Sequence, residues 1–296
     1  MRLSIQNLTK QYPNGVKAID HVSLELGPGM FGLLGPNGAG KSSLMRTIAT
    51  LQKPDSGNVY FNEIDIAKDP LSLRKTLGYL PQEFGVYPNE SAERLLHYFA
   101  LLKGIASKKE RHAKVEEVLQ LTNLYEARKK DVSSYSGGMR QRFGIAQLLL
   151  NNPALIIVDE PTAGLDPAER NRFLNVLREI GTKNIVLFST HLVEDVNELC
   201  TEMAIMNHGK IQKRSAPSQA KQALEGKIWT KRIPPAELEF YKTAYLYLSS
   251  SFNEDHTVTV RVYADTLPEA SFVPAENVTL DDVYFNVLGQ TVQANA

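Results

Sequence analysis

The 296 residues, 43% of them hydrophobic, are enough for one large domain and a small one. Basic and acidic side chains balance at 33 each, which removes the long-range field that would draw nucleic acid or an anionic lipid surface. A single cysteine, Cys200, excludes an intrachain disulfide, points to a reducing compartment and reads as a space-filling residue.

The opening MRLSIQNLTK alternates apolar and polar residues as a strand does, and no secretory signal is expected there. Leu3 to Leu26 read as short strands around a turn at Pro13-Asn14-Gly15. Gly27-Pro28-Gly29 then leads into the apolar run Met30 to Leu34, a buried strand. Lys41 to Leu51 read as a helix, Lys53 to Gly57 as a turn and Asn58 to Phe61 as the returning strand. Between about 84 and 152 the period becomes helical, with leucines and aromatics three and four residues apart in Ala92 to Lys103 and in Lys108 to Leu121. Strand and helix then alternate: Ala154 to Val158, Pro167 to Ile180, Asn184 to Phe188, Leu192 to Leu199 and Glu202 to Met206. That alternation predicts a mainly parallel sheet covered by helices.

Past Gly209 the pattern shifts. Ala216-Pro217 opens a short helix, and the remainder reads as strand, helix and strand broken at Pro234-Pro235 and Asn253-Glu254-Asp255. The expected division is a domain over residues 1–215, with its helical insertion at about 84–152, and a small α+β domain over 216–296. The aromatics of the second part, Trp229, Tyr241, Tyr245, Tyr247 and Tyr263, read as packing residues; a ligand-binding module is the sharper alternative. No apolar run approaches the roughly 20 residues a bilayer span requires, so any membrane role is expected to be peripheral.

Two segments carry chemistry. Gly35-Pro36-Asn37-Gly38-Ala39-Gly40-Lys41-Ser42, followed by Ser43, fits G-x-x-x-x-G-K-S/T and sits between an apolar strand and a helix, where a phosphate-binding loop must sit. Its glycines let backbone N–H groups turn inward around phosphates, and the helix start adds partial positive charge. Lys41 would reach the β- and γ-phosphates of a nucleotide and Ser42 would ligate magnesium. The second segment is the run Leu155 to Val158 ending in Asp159-Glu160, two carboxylates at the carboxyl edge of the sheet, where open α/β sheets bind ligands. Asp159 is placed to hold the Mg2+ ion, and Glu160 is the candidate base for the attacking water.

Tyr135-Ser136-Gly137-Gly138-Met139-Arg140-Gln141-Arg142 lies just before the acidic strand, where ABC ATPases carry an LSGGQ signature, and the chain resembles that family over roughly residues 2–215. Tyr12 matches the adenine-stacking aromatic, Gln82 the Q-loop glutamine, Ala163-Gly164-Leu165-Asp166 the D-loop, and His191 the switch histidine. The resemblance implies an α/β phosphate-loop NTPase fold with a mainly parallel core sheet, an antiparallel β subdomain and a helical insertion. It also implies ATP hydrolysis with Glu160, His191, Gln82 and Lys41 at the reaction, Gln82 also reaching the metal. Ser136, Gly137 and Gly138 of one subunit would close over ATP held by another, in a homodimer or heterodimer. Ser136 could also cap the helix that follows.

Tyr135 and Met139 depart from LSGGQ, and YSGGM is similar to the form in drug, lipid and polysaccharide exporters with six-helix permeases. The ending Thr279-Leu280-Asp281-Asp282-Val283-Tyr284 is similar to their carboxyl-terminal TLEDVF-like motif. A separate transmembrane permease is thereby implied, docking near Gln82 and the segment Glu83 to Glu93, with the chain on the cytoplasmic face of the plasma membrane. A nucleic-acid-acting ABC ATPase is disfavoured by neutral charge and by a single uninterrupted ATPase domain, so no nucleic acid is expected as a partner. A small-molecule kinase or GTPase would leave Ser136-Gly137-Gly138 unexplained, and no guanine-reading NKxD is present.

Overall fold

A computed structural model describes residues 1–85 and 88–294, with side chains as far as Thr291. Within the expected docking segment 83–93, Val86 and Tyr87 lie outside the described residues. The chain starts with the antiparallel pair β1 (Leu3–Gln11) and β2 (Lys17–Leu26), then β3 (Gly29–Leu34), α1 (Lys41–Ile48), β4 (Ser56–Phe61), β5 (Ile64–Asp65), α2 (Pro70–Thr76) and β6 (Leu77–Leu80). Three helices follow, α3 (Ala92–Leu102), α4 (Lys108–Leu121) and α5 (Gly137–Leu149). After them come β7 (Leu155–Asp159), α6 (Pro167–Gly181), β8 (Ile185–Thr190), α7 (Val193–Leu199), β9 (Glu202–Asn207) and β10 (Lys210–Ser215). The last part holds α8 (Pro217–Gln222), β11 (Ile228–Ile233), α9 (Leu238–Ala244), β12 (Leu246–Phe252), β13 (Val258–Tyr263), β14 (Val273–Pro274) and α10 (Leu280–Ala294).

These strands form three sheets. A central sheet runs β10-β9-β3-β8-β7-β6, parallel throughout except for β10, and a smaller antiparallel sheet runs β2-β1-β4-β5. The third, β12-β13-β11-β14, is antiparallel and built only from the C-terminal part. The first two are the parallel core and the antiparallel subdomain expected of a phosphate-loop ABC ATPase.

Every residue of β7 and β8 is buried, because the sheet is covered on both faces, and this is why their sequences run apolar without alternating. Side chains still alternate between faces. Ile156 and Val158 of β7, with Val186 and Phe188 of β8, join the core under α3 to α6. Leu155, Ile157, Ile185 and Leu187 join the opposite core, between the central sheet, α1 and the antiparallel sheet. The chain leaves both strands at the same edge, so Asp159 and Thr190 end side by side with the phosphate loop after β3.

Helix starts follow their capping residues. Asp69, Ser91, Ser107, Ser136 and Asp166 each accept the amide three residues on, at the heads of α2 to α6. In the TLDDVY segment, Thr279 and Asp282 form the same device reciprocally, Thr279 N donating to Asp282 Oδ2 at 2.8 Å and Asp282 N to Thr279 Oγ1 at 3.2 Å. Arg261 of β13 grips the same carboxylate through two nitrogens, at 2.9 and 2.6 Å. The C-terminal part is richer than a strand, helix and strand: it adds an antiparallel sheet and the terminal helix. Leu280, Val283, Tyr284 and Val287 of α10 are buried in one continuous cluster with Val196 and Leu199 of α7. No helix among the described residues is long and apolar enough to cross a membrane.

Tyr135, the first departure in the signature, is buried. Its ring meets Phe143 edge to face at 6.4 Å, and its hydroxyl donates to Ala127 O at 2.8 Å. Burial pushes its phenol up to about 12. The tyrosine thus ties the head of α5 to the turn after α4, which a leucine could pack against but not bond. Cys200 is buried as well, its thiol pushed up to about 12 by burial and by Asp195.

Candidate active site

The loop from β3 to α1 needs backbone shapes that only glycine adopts easily. Gly40 has φ 106°, and a Cβ there would lie 2.0 Å from Ala18 O. Because Gly40 caps α1 without a side chain, the helix's first amides have no side-chain acceptor from the cap. The loop lines one wall of a cavity of about 400 Å³, together with Tyr12, Val16, Ala18, Gln82 and Glu160. Asn37, Gly38, Ala39, Gly40, Lys41, Ser42 and Ser43 supply that wall. Uncapped helix amides facing an open cavity suit a phosphate group.

Glu160 is the hub of the cavity. Its side chain, only 9% exposed, meets three partners: Lys41 Nζ at 3.1 Å on Oε1, and on Oε2 His191 Nδ1 at 3.3 Å and Gln82 Nε2 at 3.5 Å. Lys41 is buried too, and its ammonium also donates to Gly35 O at 2.8 Å and Pro36 O at 3.2 Å. Glu160 takes φ 46°, a left-handed conformation uncommon for a side chain of this size, so its surroundings must hold it. Part of that hold comes from β8: Glu160 N donates to Ser189 O at 3.2 Å and to Ser189 Oγ at 3.1 Å.

Asp159 is buried one residue earlier and accepts from Ser189 Oγ at 2.5 Å through Oδ1. Its Oδ2 has no hydrogen-bond partner among the described residues. Burial, with the Asp159 charge nearby, pushes the Tyr79 phenol on β6 up to about 12. The Tyr12 hydroxyl is tied to Ser43 Oγ at 3.1 Å and donates to Gln52 Oε1 at 3.0 Å. Ser189 and Gln52 were not among the residues singled out in the sequence. Ser189 lies two residues before His191, a position the switch histidine makes readable, whereas nothing near Gln52 marks it.

Ser136, Gly137, Gly138 and Asp166 are not among the residues lining this cavity. Ser136 Oγ accepts from Met139 N at 3.2 Å at the head of α5, and Asp166 Oδ1 accepts from Glu169 N at 2.9 Å at the head of α6. The two helix heads abut. A Cβ on Gly138 would lie 2.2 Å from Glu169 Oε2 and 2.7 Å from Glu169 Cβ, and Glu169 Oε2 in turn sits 3.0 Å from Arg142 Nη1, without hydrogen-bond alignment. Gly138 is therefore required inside its own chain for the approach of α5 to α6. Replacing it with alanine is expected to cost about 1–3 kcal/mol in urea denaturation, as overpacked sites do, because backbone-near atoms of Glu169 have to move.

An ABC transporter family model matches residues 19–163. The uncharacterized ABC transporter ATP-binding protein YxlF of Bacillus subtilis is 36% identical over 229 residues, which cover 77% of this chain and 75% of that protein. The linearmycin resistance ATP-binding protein LnrL of Bacillus subtilis is 35% identical over 212 residues, 71% of this chain and 67% of that protein. The methionine import ATP-binding protein MetN of Carboxydothermus hydrogenoformans is 36% identical over 216 residues, 70% of this chain and 64% of that protein. Among solved structures, the dimeric post-hydrolysis state of the ATP-binding cassette MJ0796 with ADP and phosphate superposes with a TM-score of 0.66 at 27% identity, covering 72% of this chain and 98% of that one. With 36% identity to YxlF over 77% of its length and the fold of an ATP-binding cassette, the chain belongs to the ABC transporter ATP-binding proteins and is an ATPase.

Proposed function

We propose that the cavity holds ATP with its phosphates on the loop Gly35 to Ser43 and its adenine against Tyr12, and that Glu160 is the base of hydrolysis. The observation that carries this reading is the convergence of Lys41, Gln82 and His191 on the Glu160 carboxylate. Nucleotide phosphate draws Lys41 away from Glu160, which leaves that carboxylate free to take a proton from water as the water attacks the γ-phosphorus; ADP and phosphate are the products. His191, beside Glu160 Oε2, orients the same water or the γ-phosphate, and Gln82 lies within reach of both.

Mg2+ fits the donor set. The described residues hold no cluster of three or more His, Cys, Asp or Glu side chains for a metal, so a cation here must rely on few protein ligands and on phosphate. The Ser42 hydroxyl, the unpartnered Asp159 Oδ2 and the Gln82 amide oxygen are hard donors of that kind. The ion would supply charge neutralisation at the phosphates.

The position of Ser136, Gly137 and Gly138 away from the cavity supports their use on a second subunit's ATP, with Asp166 beside them at the same contact. A homodimer or a pair with a different ATPase fits equally. We further propose that closure of the dimer energises a separate transmembrane permease, that the chain works at the cytoplasmic face of the membrane, and that residues 216–296 form an accessory domain. Export is favoured over import by YSGGM and TLDDVY and by the resistance protein LnrL among the relatives. MetN, by contrast, is named for import. Cells lacking the chain are expected to accumulate its cargo, and loss of uptake instead would overturn export.

Purified chain is expected to release phosphate from ATP, to stop on addition of EDTA, and to sediment as a dimer when ATP is held unhydrolysed. A chain that hydrolyses ATP while remaining monomeric would overturn the shared site.

A further inference from the structure

One fully buried carboxylate near the reacting edge takes no part in the chemistry above. Asp195, in the first turn of α7, has 0% exposure. A charge so desolvated persists only where donors surround it. Three segments provide them: Thr162 Oγ1 donates to Oδ2 at 2.5 Å, Thr190 Oγ1 to the same oxygen at 3.3 Å, and Arg170 Nε of α6 to Oδ1 at 2.5 Å.

The places of these donors in the chain matter more than their number. Thr162 follows Glu160 by two residues, within the turn where Ala163 N donates to Glu160 O at 3.4 Å and Leu165 N to Thr162 O at 3.2 Å. Thr190 immediately precedes His191, and its hydroxyl also accepts Leu192 N at 2.9 Å, so the chain is pinned on both sides of the histidine. Arg170 lies one turn into α6, whose head is capped by Asp166. A single carboxylate thus joins the segment that carries Glu160, the segment that carries His191 and the helix that follows Asp166. Glu160 itself holds a left-handed backbone that needs external support.

We propose that Asp195 is a positioning residue for hydrolysis, fixing Glu160 and His191 relative to each other through Thr162 and Thr190. The proposal rests on the reading of Glu160 and His191 as the groups that handle the attacking water. It predicts a specific kinetic pattern. ATP is gripped by the loop at β3 and α1, which does not touch Asp195, so binding survives its loss. The aim of the carboxylate and imidazole at the water does not survive, and small misplacements of reacting groups cost rate steeply.

The test compares Asp195→Asn, Thr162→Val and Glu160→Gln in the full chain, reading steady-state hydrolysis, equilibrium binding of a fluorescent ATP analogue, and thermal melting. In Asp195→Asn the side-chain oxygen can still take Arg170, but an NH2 replaces the acceptor that Thr162 and Thr190 share. The expected result is kcat down about tenfold or more with nucleotide affinity within about twofold of wild type. Thr162→Val leaves the Arg170–Asp195 contact in place and is expected to show the same split at roughly threefold; it decides the question if Asp195→Asn fails to fold. A wild-type kcat in the folded variants, or a loss of affinity in step with kcat, would overturn the positioning role. Wild-type turnover in Glu160→Gln would instead overturn the assignment of the base, so the two failures are distinct.

Discussion

Glu160→Gln is expected to lower ATP hydrolysis by about 100- to 10,000-fold while leaving ATP binding intact, because a positioned general base contributes on that scale. Glutamine has nearly the same shape, so the contacts with Gln82 and His191 can be kept in altered polarity, but its amide cannot accept the proton of the attacking water. Binding is protected by the neighbourhood. Lys41 retains Gly35 O and Pro36 O as acceptors when the carboxylate is neutralised. It also no longer has to leave a buried anion when phosphate arrives, so affinity should stay level or rise. Phosphate release and calorimetric titration with ATP measure the two quantities separately. Turnover within tenfold of wild type would sink the base assignment, and an equal loss of affinity would place Glu160 in binding rather than chemistry.

The readable parts of this site are those whose chemistry is contiguous in the chain. The loop Gly35 to Ser43 and the pair Asp159-Glu160 each carry residue type, spacing and flanking strand within a dozen positions, and the structure brings Lys41 and Glu160 to 3.1 Å. The unread parts depend on partners far apart. Asp195 lies 33 positions from Thr162 and 25 from Arg170, and an aspartate in a helix's first turn reads as an ordinary dipole partner. Tyr135 was visible as a departure from the signature, but its reason, the bond to Ala127 O, needs the fold. Gly138 could be assigned to a second subunit's phosphate from sequence, whereas its tight contact with Glu169 appears only once α5 and α6 are packed. The strand Leu77–Leu80 is short and holds a glycine, so it leaves little periodic signal. In α10 the signal was present, since Leu280, Val283, Tyr284 and Val287 follow helical spacing, but the capping box that fixes its start involves a distant partner in Arg261.

Lys41→Ala is expected to weaken ATP binding about 100-fold or more and to leave no measurable hydrolysis, since charge-assisted bonds to phosphate contribute roughly 1.5–3 kcal/mol each. The same change acts on the folded state without nucleotide. Lys41 is 4% exposed and faces Glu160 at 3.1 Å, so its removal strips one oxygen of a buried carboxylate of its cation while His191 and Gln82 still hold the other. Breaking one side of a buried pair costs about 3–5 kcal/mol; the remaining partners of Glu160 place the expected loss near the lower end, about 3 kcal/mol in urea denaturation. The two effects come apart in a second variant. Removing both charges, Lys41→Ala with Glu160→Ala, leaves no unpaired anion, so stability should recover toward wild type while ATP binding stays lost. If stability fails to recover, the pair is not what destabilises the single variant, and if binding recovers with it, Lys41 does not hold the phosphates.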